Sequence, residues 1–403
     1  MNERIILHSD VNNFFASVEC ADKPELMDKP VAVTGNPEKR TGIILAKNEI
    51  AKKFGIKTGQ TIFEAKQLCP DLICLPPHHD IYEKISKQIH EIYLEYTDQV
   101  EPMGLDECWL DVTSSKNVIN KTPLEIANEL RQRIKDEFKI TVSIGISFSK
   151  VFAKLGSDMK KPDAVTIIPK NKFKFLTYHL PLNSIVGIGR RLEKKFTDMN
   201  VLTIGDFVKL DDFLIQKLTN KTCVELKHDL LGDSGERVKS YYSLEAPKSV
   251  GNGTTTIKDI SSRKEIEKVI HFLAEKVSSR LIQQNFIAHT ISITVKTNEL
   301  KTFGHSRKIS ATNSSLVISN EALALLDTFW KYDFPVRAVR INASNLEDIS
   351  SSKQLSFFNI KKEKLAESVN KLTEKYGENA VFIASETENF INRRTFQSEE
   401  KKE

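Results

Sequence analysis

Cysteine is scarce in this chain and carries no pattern. Five cysteines in 403 residues (Cys20, Cys69, Cys74, Cys108 and Cys223) are scattered, odd in number and never spaced as CxxC. That excludes a disulfide framework and a cysteine zinc site, and it points to reduced thiols in a cytoplasmic protein. Long hydrophobic runs are also missing. Met1-Asn2-Glu3-Arg4 opens on charge and passes straight into a strand pattern, so neither a secretory core nor a membrane span is expected. No strong charge of one sign is present either. The net charge of +5 is mild and implies a polyanionic partner only where the lysines cluster. What is there is a globular composition, 40% hydrophobic and 28% charged, over a length that calls for roughly two to four domains.

The chain is organised around Gly104-Leu105-Asp106-Glu107-Cys108-Trp109-Leu110-Asp111. Asp106 and Glu107 interrupt an apolar stretch from Pro102 to Val112 that reads as a buried strand or strand pair. Buried carboxylates are costly unless a cation neutralises them. No lysine lies close by in sequence, and adjacent acids supply the hard oxygen ligands that magnesium takes. A further acid, Asp10, ends the apolar strand Ile5-Ile6-Leu7-His8-Ser9. Three carboxylates at the tips of two buried strands suggest a two-metal phosphoryl-transfer centre, with metals roughly 3.5–4 Å apart. The plainer reading, that Asp106 and Glu107 merely mark a hairpin turn, stands beside it. Strand alternation would also send the two acids to opposite faces unless the chain turns or bulges there.

Along the chain, residues 4–10 read as a strand, and Asn12-Asn13 as the cap of a helix beginning at Phe14. Short strands at 30–33 and 42–46 and helices near 47–54 and 61–68 follow. Isoleucines at 81, 85, 89 and 92 have helical spacing over 81–97. With the acidic strands, a helix at 123–138 and a strand at 141–146, the order is the ferredoxin-like split βαβ pattern. A helix from Ser149 stops before Pro162 and ends in Lys160 and Lys161; those lysines serve either the helix dipole or a triphosphate. The run Ile185-Val186-Gly187-Ile188-Gly189-Arg190-Arg191 reads as a helix-hairpin-helix, whose backbone N–H groups hold a DNA phosphate, or as an ordinary glycine turn. Residues 244–254 look like a linker. A second α+β unit follows, with helices at 264–284 and near 319–330 and strands at 291–297 and 336–341. Its outward basic and hydroxyl side chains suit a DNA backbone or a solvated sheet face. Gln354-Leu355-Ser356-Phe357-Phe358 reads as a peptide that docks into a partner's groove, or as a closing strand. A short helix at 361–376 and a polar, disordered end are expected.

Together these motifs resemble the Y-family of DNA polymerases from Ile5 to about residue 350. Ser9-Asp10-Val11-Asn12-Asn13-Phe14-Phe15-Ala16-Ser17-Val18-Glu19, the Asp106-Glu107 stretch, and Gly145-Ile146-Ser147 through Lys161-Pro162 carry the resemblance. It implies an α+β multidomain fold. A ferredoxin-like palm would take 1–21 and 79–168, small fingers 22–78, and a helix-hairpin-helix thumb 169–243. A linker at 244–253, an α+β little finger at 254–348, and a clamp-binding peptide and tail at 349–403 would follow. The implied activity is template-directed, error-prone DNA synthesis across damage, without proofreading. Asp10, Asp106, Glu107 and the Val11 carbonyl take the positions of the ligands for two Mg2+ ions. Phe15 takes that of the steric gate against a ribose 2′-OH, with Phe14 beside it, and Lys52 and Lys161 those of the triphosphate contacts. Gly187, Gly189 and Arg190 would meet DNA. Implied partners are primer–template DNA, dNTPs, a sliding clamp at 354–358, and accessory subunits or a recombinase filament.

Glu49 stands where many members of the family have a tyrosine, and Ile43 and Leu45 where some have alanines. Glu49 removes one expected phosphate contact, and Ile43 and Leu45 narrow the roof over the nascent base pair. The 185–196 run and the segment after Phe358 lean toward the polymerase V branch rather than the polymerase IV branch, and both branches stay open. Two rival functions are a nucleotidyl cyclase, which would have no use for a helix-hairpin-helix or a clamp peptide, and a non-catalytic factor that occupies damaged DNA or the clamp.

Overall fold

A computed structural model describes residues 3–36, 42–115, 118, 120–233, 235–243, 246–331 and 334–349. The chain divides into two compact units, Met1–Ala246 and a second beginning at Pro247.

The first unit is built on strands β1 (Ile6–Val11), β2 (Val31–Thr34), β3 (Ile44–Lys47), β4 (Ile73–Leu75), β5 (Val100–Met103), β6 (Glu107–Asp111), β7 (Val142–Ser147) and β8 (Val165–Ile168). Five of them form one sheet in the order β5-β6-β1-β7-β8. The four-strand part, β5-β6-β1-β7, is the split βαβ arrangement read from the sequence, and β8 adds a parallel edge beside β7. β1 lies between two antiparallel partners and all six of its residues are buried. Burial on both faces removes any apolar/polar alternation: Ile6 and Leu7 are followed by the likewise buried polar residues His8, Ser9 and Asp10.

Alternation along β1 still sorts the two faces. Leu7, Ser9 and Val11 turn toward helices His79–Leu94 and Pro123–Phe138, whose Tyr93, Ile126 and Leu130 complete a core with them; Tyr93 also donates to Ser9. Ile6, His8 and Asp10 take the opposite face, beneath helix Lys150–Met159, where Ala153 packs on Ile6 and Ser157 bonds His8. That helix sits unusually close to the sheet because Gly145, opposite His8 on β7, has no side chain. A Cβ there would stand 1.9 Å from the Ala153 carbonyl oxygen and 2.5 Å from the Ser157 nitrogen. The same helix lends Phe152 to a separate core shared with Phe173, Phe196 and Phe207 of the short helices that follow. It is therefore fixed from both sides.

A small sheet, β3-β2-β4, forms with helices Glu49–Lys53 and Ile62–Leu68 a third core around Ile44, Ile56 and Leu72. β4 and β8 are too short to show a period in sequence. Asn13 stands at the N-cap of helix Phe14–Cys20, as expected, but in the left-handed region (φ 52°) and without a capping bond. Its side chain donates instead to Glu49, at 2.8 Å. Asn12 bonds across β7 to Ser143.

The second unit carries β9 (Ser249–Ile260), β10 (Phe286–Thr297), β11 (Thr302–Thr312) and β12 (Val336–Asp348), all antiparallel in the order β11-β10-β12-β9. Helices Arg263–Gln283 and Ser315–Phe329 supply the apolar partners of one face. The expected linker is corrected here: β9 begins at Ser249. Gly251 and Gly253 are strand residues pressed against β12, where a Cβ would meet Asn342 Oδ1 at 2.5 Å and Arg340 Cβ at 3.0 Å. The glycine signal reports close backbone approach rather than a tether. β11 was missed in the sequence because nearly all of it is exposed and polar.

Candidate active site

The acids meet at one end of β1. Register pairs Asp10 with Glu107, and the Val11 N–H donates to the Asp106 carbonyl at 2.9 Å. Residues 104–106 form the turn between β5 and β6, with Gly104 at φ 76°. Asp106 and Glu107 thus do mark a hairpin, and the hairpin is what removes them from strict alternation. Asp106 belongs to the turn and Glu107 to the first pair of the ladder. The hairpin reading is thus what the backbone shows, and it places both acids at one end of the sheet.

Two lysines reach the acids, Lys154 from the middle of the covering helix and Lys161 from just past its end. Lys154 Nζ lies 3.1 Å from Asp10 Oδ2, 2.7 Å from Glu107 Oε2 and 3.2 Å from Asp158 Oδ2. Lys161 Nζ lies 2.7 Å from Asp10 Oδ2 and 2.9 Å from Asp158 Oδ1. Lys154 is only 7% exposed. Its sequence signal was available: Lys150, Lys154 and Ser157 follow i, i+4, i+7 on one helix face, the face that turns to the sheet. Lys150 shares that placement, over the Trp109 ring and 2.9 Å from Glu101. The cations absent from the neighbourhood of Asp106 in sequence arrive by tertiary packing.

The charges are strongly coupled. Burial pushes the Asp106 carboxyl up to about 6, with the charges of Asp10 and Glu107 adding to it. Burial acts the same way on Glu107, but His8 and Lys154 outweigh it and hold that carboxyl down at about 2. Burial depresses the His8 imidazole, so it is neutral at pH 7. It lowers Lys154 too, yet Glu107, Asp10 and Asp158 more than reverse this and keep the ammonium charged. Glu107 Oε2 is enclosed between Lys154 Nζ, 2.7 Å away, and His8 Nε2, 3.3 Å away.

The donor set of three carboxylates and nearby backbone carbonyls suits a hard divalent cation. Among the described residues, no three His, Cys, Asp or Glu side chains already converge on one point. Lysine ammonium groups stand between the acids instead. A divalent ion at these oxygens would have to replace the contacts of Lys154 and Lys161 to Asp10.

On the neighbouring helix, Phe15 is half-buried, while Phe14 is 3% exposed and belongs to the core. Phe14, which the resemblance places with Phe15 at the substrate, packs behind that ring, 5.7 Å away. Lys52 is half exposed and 3.6 Å from Glu49, whose carboxylate also receives Asn13. Farther along, Gly187 (φ 99°) and Gly189 lead into helix Arg190–Thr197, with Gly189 at its N-cap and Arg190 exposed. These residues stand apart from the acids in sequence and on a different core. Gln354, Leu355, Ser356, Phe357 and Phe358 lie outside the described residues. Among the described residues, no helix is long and apolar enough to cross a membrane.

The impB/mucB/samB family model matches residues 9–158, and the model of that family's C-terminal domain matches 247–357. A DNA polymerase IV of Acetivibrio thermocellus is 42% identical over 93% of this chain and 95% of its own length. A DNA polymerase IV of Oceanobacillus iheyensis is 35% identical over 94% and 91%. DNA polymerase IV 1 of Bacillus subtilis is 34% identical over 93% and 91%. These names run against the leaning of the 185–196 run toward polymerase V. Among solved structures, a chimeric Y-family DNA polymerase superposes with a TM-score of 0.77 at 24% identity, covering 85% of this chain and 99% of that one. That likeness speaks for the fold.

Proposed function

The chain belongs to the impB/mucB/samB family, the Y-family of DNA polymerases, and from that premise we propose how its residues divide the work of translesion DNA synthesis. It is a DNA-directed DNA polymerase, and membership of the family brings dependence on a divalent metal. In our reading that metal is Mg2+, two ions held by Asp10, Asp106, Glu107 and the Val11 carbonyl. Bound there, the ions supply Lewis-acid stabilisation of charge developing at the α-phosphate and the leaving pyrophosphate.

The chain itself supplies no nucleophile, because the attacking group is the primer 3′-OH. Its task is positioning and charge. Lys161 and Lys52 receive the triphosphate, Lys161 exchanging Asp10 for phosphate oxygens. Glu49, 3.6 Å from Lys52, moderates that second contact. Phe15 lies under the sugar and excludes a ribose 2′-OH, while Phe14 backs it. Gly187, Gly189 and Arg190 hold a backbone phosphate of the DNA at a helix N-terminus. Residues 354–358 bind a sliding clamp, which raises the local concentration of a weakly gripping enzyme on DNA. Accessory subunits or a recombinase filament are further candidate partners, and the cytoplasm is the compartment.

The observation that carries this reading is the pairing of Asp10 with Glu107 beside the turn residue Asp106, at the tip of the central strand. Primer extension on undamaged and abasic templates with magnesium tests it, comparing the wild type with Asp106→Asn. Extension past the lesion by the wild type alone supports the assignment. Equal extension by both proteins removes Asp106 from the metal site.

A further inference from the structure

Glu19 is nearly the whole length of helix Phe14–Cys20 away from the acids, and none of the roles above uses it. It is nevertheless a buried carboxylate, 6% exposed, with three partners. The Tyr82 hydroxyl donates to its Oε1 at 2.6 Å, His78 Nδ1 lies 2.7 Å from the same oxygen, and Lys23 Nζ lies 3.5 Å from Oε2. Burial alone would raise the Glu19 carboxyl, but the contacts of Tyr82 and His78 outweigh it and leave the group below its ordinary value. It is therefore a charged acceptor, and bonds to charged acceptors are about twice as strong as neutral ones.

What this anchor holds is the ring next to Phe15. Tyr82 is fully buried, and its ring stacks on Phe15 with centroids 4.3 Å apart and planes 13° from parallel. His79 closes the corner, edge-on to both rings at 5.7 Å. Phe15 and Glu19 lie four residues apart on one helix, so Tyr82 bridges two side chains of the same face. Packing confines the buried Tyr82 ring, and its hydroxyl bond to Glu19 adds a directional restraint. That bond is the tie.

We propose that Glu19, through Tyr82, is a positioning residue that fixes the height of the Phe15 ring and so sets how strictly the enzyme rejects ribonucleotides. The proposal rests on the assignment of Phe15 as the sugar gate. Glu19 touches no substrate; it acts by holding the ring that Phe15 leans on. A ring free to shift by a fraction of an ångström admits a hydroxyl that a fixed ring excludes, while the deoxy sugar is accommodated in either case.

The test is kcat/KM for a dNTP and for the matching rNTP, in magnesium, for the wild type and for Phe15→Ala, Tyr82→Phe, Glu19→Ala and Glu19→Gln. Tyr82→Phe keeps the ring and removes only the tie, so it guards against failure of Glu19→Ala to fold. The expected result is a fall in the dNTP/rNTP ratio of about tenfold in Tyr82→Phe and Glu19→Ala, the scale of one charge-assisted hydrogen bond. Glu19→Gln, which retains an acceptor oxygen, should restore most of the ratio. A purely structural role would lower both kcat/KM values together, and an unchanged ratio in Tyr82→Phe and Glu19→Ala overturns the proposal. If Phe15→Ala itself keeps the wild-type ratio, the gate assignment fails and the proposal goes with it. A lost ratio in Phe15→Ala with intact ratios in the other variants sinks the anchor alone.

Discussion

Lys154 Nζ stands 2.7 Å from Glu107 Oε2, spanning the narrow gap between helix Lys150–Met159 and the tip of the sheet. The same ammonium touches Asp10. A single-charged group thus sits among the acids that a doubly charged ion is proposed to occupy, and lysine and metal share one set of oxygens.

Lys154→Met removes that charge while keeping much of the side chain's volume. Breaking a buried pair by deleting one partner costs roughly 3–5 kcal/mol. The metal-free variant should therefore unfold at a lower temperature than the wild type, and added magnesium should raise its midpoint by more. Thermal melts with and without magnesium make the comparison; equal shifts in both proteins would mean that the lysine and the metal do not compete.

Gly145→Ala puts a Cβ where the backbone of the covering helix already lies, 1.9 Å from the Ala153 carbonyl oxygen. Backbone cannot step aside as a flexible side chain can. The cost should exceed the ordinary range for overpacking, about 1–3 kcal/mol, and the displaced helix should carry Lys154 and Lys161 away from Asp10. Urea unfolding together with primer extension checks both effects. A stable, active variant would show that the helix tolerates a lift from the sheet.

His90 offers a pH dependence. Burial lowers its imidazole to about 4, against an ordinary value near 6.5. The native state holds this group neutral, and the unfolded chain protonates it first on acidification. Its contribution is thus fully present above pH 6.5 and is lost as the pH falls toward 4, by up to ~1.4 kcal/mol per pH unit and ~3 kcal/mol in all. His90→Phe should flatten the stability profile between pH 6.5 and 4, read as the urea midpoint at each pH. An identical slope in the variant would place the proton uptake elsewhere.

Deletion of 354–358 should reduce synthesis stimulated by a sliding clamp by tenfold or more, within the roughly 10²–10⁴ range that tethering provides. Short extension without clamp should be unaffected. Extension assays on long primed templates, with and without clamp, separate the two, and an equal loss in both would make the segment part of the fold.

The helices whose apolar stripes face a core were legible in sequence: 123–138 matches Pro123–Phe138 residue for residue. The start of β1 was legible too, since Ile5-Ile6-Leu7 is an apolar run that leads into Asp10 near the strand's end. Edge and exposed elements were not. β11 has no apolar face to announce it, and β9 disguised itself as a linker because close approach to β12 selects glycine.

By itself, the sequence determined which chemistry was available: three acids at strand tips, the phenylalanine pair, and the basic residues of the 149–161 helix. Tertiary structure alone decided how they combine. The turn at Gly104 brought Asp106 and Glu107 to the same end of the sheet, and the side-chain-free surface at Gly145 let Lys154 close on the acids. It was also packing that tied Glu19 to the ring under Phe15 across 63 residues of chain. Local patterns encode the burial of a face, because burial repeats with the helix or strand period. Contacts between buried polar side chains from distant segments have no period, and only the packed backbone specifies them.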